Sequence, residues 1–326
     1  MSKPTKTYSN NLSPIAKTRV LSDRNLVKQD AKGYKESDIY FIFNDDVLDN
    51  EFKILTIGSR ELINPYYGGF FMFFGTFPDQ YPFTPPHILA KTQGLNTRFH
   101  PNYYVNGKCC LSILGTWAGP PWTSCQNLGT TSQALKSLFI NNPITQEPGW
   151  ENCLQEKSSL YNLVVEYRTL EVAVLEMLEK PPNGFFGFLE TMEHTFLELF
   201  NNYLLKLDKL TKYQGKTIKS PIYDMTITID VDALRIKYIN KHKQLSEKYN
   251  IKTEKTVVNP TPSLIEENKT DGKPVNAQVT KTIKRKTPDE KPSNYEVGHK
   301  LQSTNGDKDW WIVYETKGGQ KRWKKV

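Results

Sequence analysis

Cys110 stands eight residues after Asn102 and ten after His100, in the run Arg98-Phe99-His100-Pro101-Asn102-Tyr103-Tyr104-Val105-Asn106-Gly107-Lys108-Cys109-Cys110-Leu111-Ser112. These residue types suit acyl transfer through a thiol, which needs a nucleophile, an amide donor for a developing oxyanion, and a rigid irregular loop holding the two together. Pro101 fixes a turn and pushes His100 towards extended dihedrals. Asn106-Gly107 is a turn dipeptide that folds the chain back, so that Cys110 can lie near Asn102 and the Asn102 amide can point at the thiol's chemistry. A lone cysteine is more often a buried small hydrophobe; here its flanks favour a nucleophile. Adjacent side chains on an extended segment face opposite ways, so Cys109 is expected to pack inward as core.

The elements that must position this loop read as a mixed α+β domain. Ser13-Pro14 is a helix start and Gly33 a stop, giving a first helix over about 14–31, with Lys17, Arg19, Arg24 and Lys28 on an exposed face. Four aromatic and β-branched runs follow as strands, at 39–43, 52–57, 70–76 and 87–91, with Asn64-Pro65 and Gly68-Gly69 between the second and third. Their short spacing predicts an antiparallel meander. Four prolines between Phe77 and Pro86 exclude helix and leave a stiff aromatic loop. A short helix is predicted over 127–141, with Leu128, Leu135, Leu138 and Phe139 as its stripe, ended by Asn141-Asn142-Pro143. Helical periodicity then returns at Leu160–Leu178, at Phe185–Tyr203 and, more weakly, at 232–249.

The 326-residue chain is long for one average domain. Its net charge of +8 is uneven: residues 251–326 hold 16 Lys and Arg against 10 Asp and Glu, leaving 27 against 25 for residues 1–250. Four cysteines without a Cys-x-x-Cys suggest neither a disulfide framework nor a zinc site, and a reducing compartment suits them. The first thirteen residues lack an apolar stretch, and no run of about 18 apolar residues occurs, so neither secretion nor membrane spanning is expected. These observations predict an intracellular protein, cytoplasmic or nuclear, without membrane contact.

His100-Pro101-Asn102, seven residues and then Cys110-Leu111, preceded by Phe77-Pro78-Asp79-Gln80-Tyr81-Pro82-Phe83-Thr84-Pro85-Pro86 and followed by Trp122, resembles the ubiquitin-conjugating enzymes. Gly107-Lys108, then Cys110 through Trp117, narrows the likeness to the large Z-type branch and the conjugating domain of the apoptosis inhibitor apollon; with Tyr161-Asn162 and Glu171-Val172-Ala173-Val174 it extends over roughly 14–250.

The resemblance implies a conjugating fold with a helical extension, and an enzyme that carries ubiquitin or a related modifier as a thioester on Cys110. It implies that Asn102 donates to the oxyanion, that His100 braces the catalytic loop, and that Glu147, in Glu147-Pro148-Gly149-Trp150, is an acidic gate near the thiol. Ligases are expected at Phe83 and at the loop holding Ser124 and Cys125, and the activating enzyme at Lys17, Arg19 and Arg24. The sequence departs from the family at Thr123-Ser124-Cys125, where Ser-Pro-Ala is usual, and at Ser112, where most members carry an Asp. Cys125 is expected to pack, not to react.

The expected domains are a disordered terminus over 1–12, a catalytic core over 13–158, a helical extension over 159–250, a flexible linker over 251–294 and a small basic module over 295–326. In that module Trp310–Tyr314 and Lys321–Lys325 flank Gly318-Gly319 and predict a two-stranded hairpin, similar to short modules on proteins of large DNA viruses. Nucleic-acid binding through its Trp and Lys residues is the weaker reading beside a small interaction module. Among rival functions, a cysteine peptidase lacks a fitting histidine, since only His194, His242 and His299 follow Cys110. A zinc site from His100, Cys109, Cys110 and Cys125 fails on spacing. No metal or cofactor is expected, and the remaining alternative is a conjugating-fold adaptor that has lost activity.

Overall fold

The computed structural model describes residues 12–46, 49–251, 300–302, 310–315 and 321–325. The expected disordered terminus, apart from Leu12, the linker and the Gly318-Gly319 turn lie outside the described residues. The chain divides into two units, Met1–Thr256 and Val257–Val326.

In the first unit, helix α1 (Pro14–Gln29) begins where the Ser13 hydroxyl accepts the Ala16 N–H at 3.2 Å, with proline in the first turn. It ends at Asp30, earlier than the sequence suggests, and Gly33 lies inside a second short helix, α2 (Ala31–Glu36). Gly33 serves there as space and not as a stop: a Cβ on it would come within 2.5 Å of the Asp30 carboxylate.

Strands β1 (Ile39–Phe43), β2 (Glu51–Ile57), β3 (Phe70–Thr76) and β4 (His87–Ala90) form an antiparallel sheet in the order β1-β2-β3-β4. Phe41 pairs with Ile54, Ile54 with Phe73 and Phe73 with Ala90. The apolar residues of β2 and, apart from the half-buried Phe74, of β3 are buried on both faces, which is why these strands read as continuous apolar runs. Helix α3 (Leu128–Ser137) is capped by Asn127, which accepts the Thr130 N–H at 2.9 Å while Thr130 reaches back to the Asn127 N–H.

Helix α4 (Gln155–Arg168) runs without a break into a π-helical stretch, Thr169–Glu176, and a last turn, α5 (Met177–Glu179). The apolar spacing of 160–178 hides this change of pitch. Helix α6 (Leu189–Leu210), the hairpin β5 (Thr217–Lys219) and β6 (Thr226–Thr228), and helix α7 (Val231–Lys248) complete the unit. The β5–β6 hairpin carries little periodicity and was not foreseen from the sequence.

The extension shares the hydrophobic core of the sheet. On α6, the Tyr203 hydroxyl donates to the Gly68 carbonyl at 2.9 Å, and Lys206 is buried with its ammonium on the Leu62 and Asn64 carbonyls and against Glu166 at 2.7 Å. Thr169 packs against Gly69, and Gly187 against Ile42. The C-terminal unit holds one strand more than a hairpin, with β7 (Lys300–Gln302), β8 (Trp310–Glu315) and β9 (Lys321–Lys325) antiparallel in that order.

Asp23 ties α1 to both neighbouring loops. Its carboxylate accepts Arg19 Nε–H at 2.7 Å, the backbone N–H of Leu128 at 2.8 Å and the hydroxyl of Tyr81, and its side chain is fully buried. Asp23→Ala strands these donors, so it is expected to destabilise the protein by about 3–5 kcal/mol, read from urea unfolding midpoints.

Candidate active site

The loop after β4 is built from short-range bonds. The Tyr103 N–H donates to the His100 carbonyl at 2.9 Å and the Gly107 N–H to the Tyr104 carbonyl at 2.8 Å; the Asn106 side chain accepts the Lys108 N–H at 3.0 Å. Gly107, at φ +88°, turns the chain as the Asn-Gly pair predicts. The returning strand brings Cys110 against Asn102, where two bonds close the loop. The Cys110 N–H donates to the Asn102 carbonyl at 2.8 Å, and Asn102 Nδ2 donates to the Cys110 carbonyl at 2.6 Å.

The amide therefore serves the backbone of Cys110 in this structure, not the space beyond its thiol. An amide nitrogen carries two hydrogens, so one donor is left after that bond. The hydroxyl of Thr116, which the sequence did not single out, accepts the Leu111 N–H at 3.0 Å and donates to the Cys109 carbonyl at 2.8 Å.

The two cysteines differ in surroundings. Both are about 2% exposed, but Cys109 belongs to the apolar core and Cys110 does not. Burial pushes the Cys109 thiol up to about 12, with the Cys110 thiol adding to the rise and the Ala90 backbone opposing it. A thiol with that value is almost wholly protonated at neutral pH. Cys125 is exposed and Cys153 half-buried, and no disulfide forms among the four.

His100 is fully buried, and its Nδ1 accepts the Asn102 N–H at 3.0 Å. Burial, with the Arg98 guanidinium adding to it, lowers its pKa to about 3, while the Leu138 backbone opposes the shift. A neutral ring whose Nδ1 lone pair is already engaged is poorly suited to general-base work, and well suited to holding the Asn102 backbone in place.

Glu147 is half-buried and accepts a hydrogen bond from the hydroxyl of Tyr223, a residue of the β5–β6 turn. The same Tyr223 ring lies 3.9 Å from the Arg98 guanidinium, whose other neighbour is the Tyr104 ring, also at 3.9 Å. Arg98 and Tyr223 went unnoticed in the sequence. Arg98 could have been suspected from its place two residues before His100, whereas Tyr223 lies 113 residues beyond Cys110 in a segment without a motif.

Phe83 is 67% exposed, and beside it Trp122 Nε1 donates to the Pro82 carbonyl at 2.7 Å. Ser124 is exposed, as is Cys125, so the expectation that Cys125 packs is corrected. The basic face expected on α1 is not uniformly exposed. Lys17 is half-buried; Arg19 is tied to the Ser124 carbonyl at 2.8 Å, the Gln126 carbonyl at 2.6 Å and Asp23. Arg24 turns inward, donating to the Asp46 and Asp49 carbonyls at 2.9 and 2.7 Å over the Phe43 ring, with burial lowering its pKa. These two backbone carbonyls take the place of solvent around the guanidinium, so the expectation of an exposed Arg24 available to a partner is corrected.

Among the described residues no group of His, Cys, Asp and Glu is arranged to hold a metal, and no helix is long and apolar enough to cross a membrane.

The helix–meander–helix order, with a clamped cysteine after a His-Pro-Asn turn, defines a conjugating fold. Residues 24–167 match the model of the ubiquitin-conjugating enzyme family. The chain is 36% identical over 206 residues to ubiquitin-conjugating enzyme E2 Z of Xenopus tropicalis, covering 62% of this chain and 65% of that protein. It is 30% identical over 186 residues to human BIRC6, a dual E2 ubiquitin-conjugating enzyme/E3 ubiquitin-protein ligase, covering 53% of this chain and 4% of that protein. It is 33% identical over 162 residues to the probable ubiquitin-conjugating enzyme E2 R521 of Acanthamoeba polyphaga mimivirus, covering 46% of this chain and 11% of that protein. The chain spans between 52% and 65% of the length of the E2 Z relatives from human and frog.

The buried imidazole carries a pH signature. Its folded pKa of about 3 lies below the ordinary 6.5, so the unfolded chain binds one more proton between these values, and His100's contribution to stability is complete above pH 6.5 and lost as pH falls towards 3. Urea unfolding is expected to show a loss approaching about 1.4 kcal/mol per pH unit from this group below pH 6. A folded His100→Gln variant should lack that component; an unchanged acid slope contradicts the assignment.

Proposed function

We propose that this protein is an active ubiquitin-conjugating enzyme that accepts ubiquitin, or a related modifier, on Cys110 and passes it to lysine or to a ligase. The observation that carries the reading is the pair of Asn102–Cys110 bonds within a conjugating domain. They hold a thiol beside an amide with a donor to spare.

In loading, the Cys110 thiolate attacks the carbonyl of the modifier's C-terminal thioester on the activating enzyme; a new C–S bond forms, the old one breaks and the enzyme thiolate leaves. One thioester replaces another, so the step is nearly balanced. The thiolate is the reacting form, and exchange between thioesters requires no built-in base. In discharge, a lysine amine attacks the carbonyl of the Cys110 thioester and negative charge develops on its oxygen; the C–N bond forms, the C–S bond breaks, the Cys110 sulfur leaves as thiolate and the amine's proton is lost to solvent. The second Nδ2 hydrogen of Asn102 is assigned to that oxygen, and Glu147 to the incoming lysine. His100 is assigned to bracing. Losing an oxyanion donor costs roughly a hundredfold to a thousandfold in rate.

Phe83 and the Ser124–Cys125 loop are assigned to ligases. Lys17, and Arg19 where its backbone bonds leave it reachable, remain candidates for the activating enzyme; Arg24 does not. Action in the cytoplasm or nucleus follows from the family's chemistry, and the mimivirus relative supports a viral source.

The deciding experiment is charging with ubiquitin, activating enzyme and ATP, resolved on a non-reducing gel. Cys109→Val is expected to keep a thiol-labile adduct, Cys110→Ala to abolish it and Cys110→Ser to give at most an oxyester that resists reductant. A reductant-sensitive adduct on Cys110→Ala overturns the assignment. Asn102→Ala is expected to load within a few fold of the parent yet to discharge to free lysine at least about 100-fold more slowly, in single-turnover chase. Equal loss of both steps would mean that the Cys110 loop had collapsed.

A further inference from the structure

Tyr223 joins three parts of the molecule that are distant in sequence. Its hydroxyl donates to Glu147 Oε2 at 2.5 Å, and its ring covers one side of Arg98 at 3.9 Å. Arg98 in turn donates through its guanidinium to the Pro101 carbonyl at 2.6 Å, the carbonyl directly before Asn102. Behind Tyr223, the Tyr161 ring of α4 meets it edge-on at 6.1 Å, and the Tyr161 hydroxyl donates to the Arg98 carbonyl at 3.3 Å. The Arg98 N–H points at Met225 Sδ at 3.3 Å, so the turn that carries Tyr223 holds the loop twice.

Tyr223 and Asp224 both occupy left-handed backbone, at φ 65° and 50°. Aspartate tolerates this region, but a tyrosine rarely adopts it, so the surrounding contacts sustain it at Tyr223. Met225, next in line, is buried and anchors the turn.

From this geometry we infer that Tyr223 is a positioning residue for aminolysis: the helical extension, through this phenol, fixes the Glu147 carboxylate and the catalytic turn relative to each other. The inference rests on the function proposed above. The phenol occupies Oε2, leaving Oε1 to receive a lysine ammonium, and it restrains the orientation of the carboxylate. Restricting a group that contacts the incoming amine favours the reacting geometry. Loading involves no amine, so it has no need of this contact.

The test is a double-mutant cycle on the ubiquitin-charged full chain, read by single-turnover discharge at varied lysine concentration. Tyr223→Phe keeps the ring over Arg98 and removes only the hydrogen bond to Glu147. It is expected to load with ubiquitin within twofold of the parent and to discharge about five- to tenfold more slowly, with the loss in the limiting rate and not in the lysine concentration for half-maximal rate. In a Glu147→Gln background, the same tyrosine substitution is expected to change discharge by less than twofold, because the two residues act as one. Tyr223→Leu, which also uncovers Arg98, is expected to lose more than Tyr223→Phe. Discharge unchanged in charged Tyr223→Phe overturns the inference, as does an equal loss with and without Glu147. Failure of the parent protein to form any thioester overturns the proposed function instead, and is read on the same gel before lysine is added.

Discussion

The reciprocal bonding of Asn102 and Cys110 is the constraint on which the site depends. Between these residues, beyond the end of β4 at Ala90, the chain turns at Asn106-Gly107 and doubles back, and few of its bonds are the repetitive kind that helices and ladders supply. A loop of this sort has many alternatives of similar energy unless particular contacts select one. The Asn102 side chain selects it by bonding the Cys110 carbonyl while its own carbonyl takes the Cys110 N–H. His100 sits beneath and fixes the Asn102 N–H, and Tyr103 anchors the far side through its hydroxyl on the Leu135 carbonyl at 2.6 Å. Each of these contacts removes freedom from the backbone that carries the thiol. Chemistry at the sulfur thereby inherits a preset geometry instead of having to create one.

The extension contributes to that rigidity from outside the minimal domain. Its π-helical stretch lets Thr169 meet Gly69 and Val172 meet Gly94, so one helical rod touches both the β2–β3 connection and the segment leading into the catalytic loop. Wide helical turns of this kind are uncommon and concentrate at functional sites. Tyr238 of α7 donates to the Leu170 carbonyl within the stretch at 2.9 Å, which supports the unusual pitch from the other side. The charged groups drawn into this interface are paired. Lys206 is only 1% exposed, yet it meets two carbonyls and a carboxylate, which offset the loss of water around its ammonium even though burial lowers its pKa.

Local chemistry was readable where it acts over a few residues. The four strands were legible because aromatic and β-branched residues cluster between turn signals, and their bounds differ from the expectation by one residue at most. The cysteine loop was legible because proline and Asn-Gly restrict the backbone in known ways. The extent of α3 was overread: Leu138 and Phe139 continue the apolar pattern, but the helix closes at Ser137. Gly33 misled because a glycine can mark either a stop or a close approach, and only the position of Asp30 distinguishes them. Arg24 misled for a related reason. A guanidinium on a polar helix face looks solvated until a loop 22 to 25 residues away presents its carbonyls. Tyr223 belongs to the same class, since its partners come from three separate segments and its own neighbourhood announces nothing.

Order is unevenly distributed around Cys110, whose side chain is only 2% exposed. Residues 98–110 are held by side-chain and backbone bonds at nearly every step, whereas residues 115–121 lie exposed in sequence. Gly115 and Gly119 sit there at φ 64° and 134°, and Thr116 is the principal side-chain tie back to the loop. Opening on that side sacrifices little apolar burial, while opening on the Asn102 side breaks the clamp and exposes His100 and Tyr103. The ties are densest before Cys110, around Asn102, and sparsest after it, over Gly115–Pro121, so the adaptable backbone follows the cysteine and the rigid backbone precedes it.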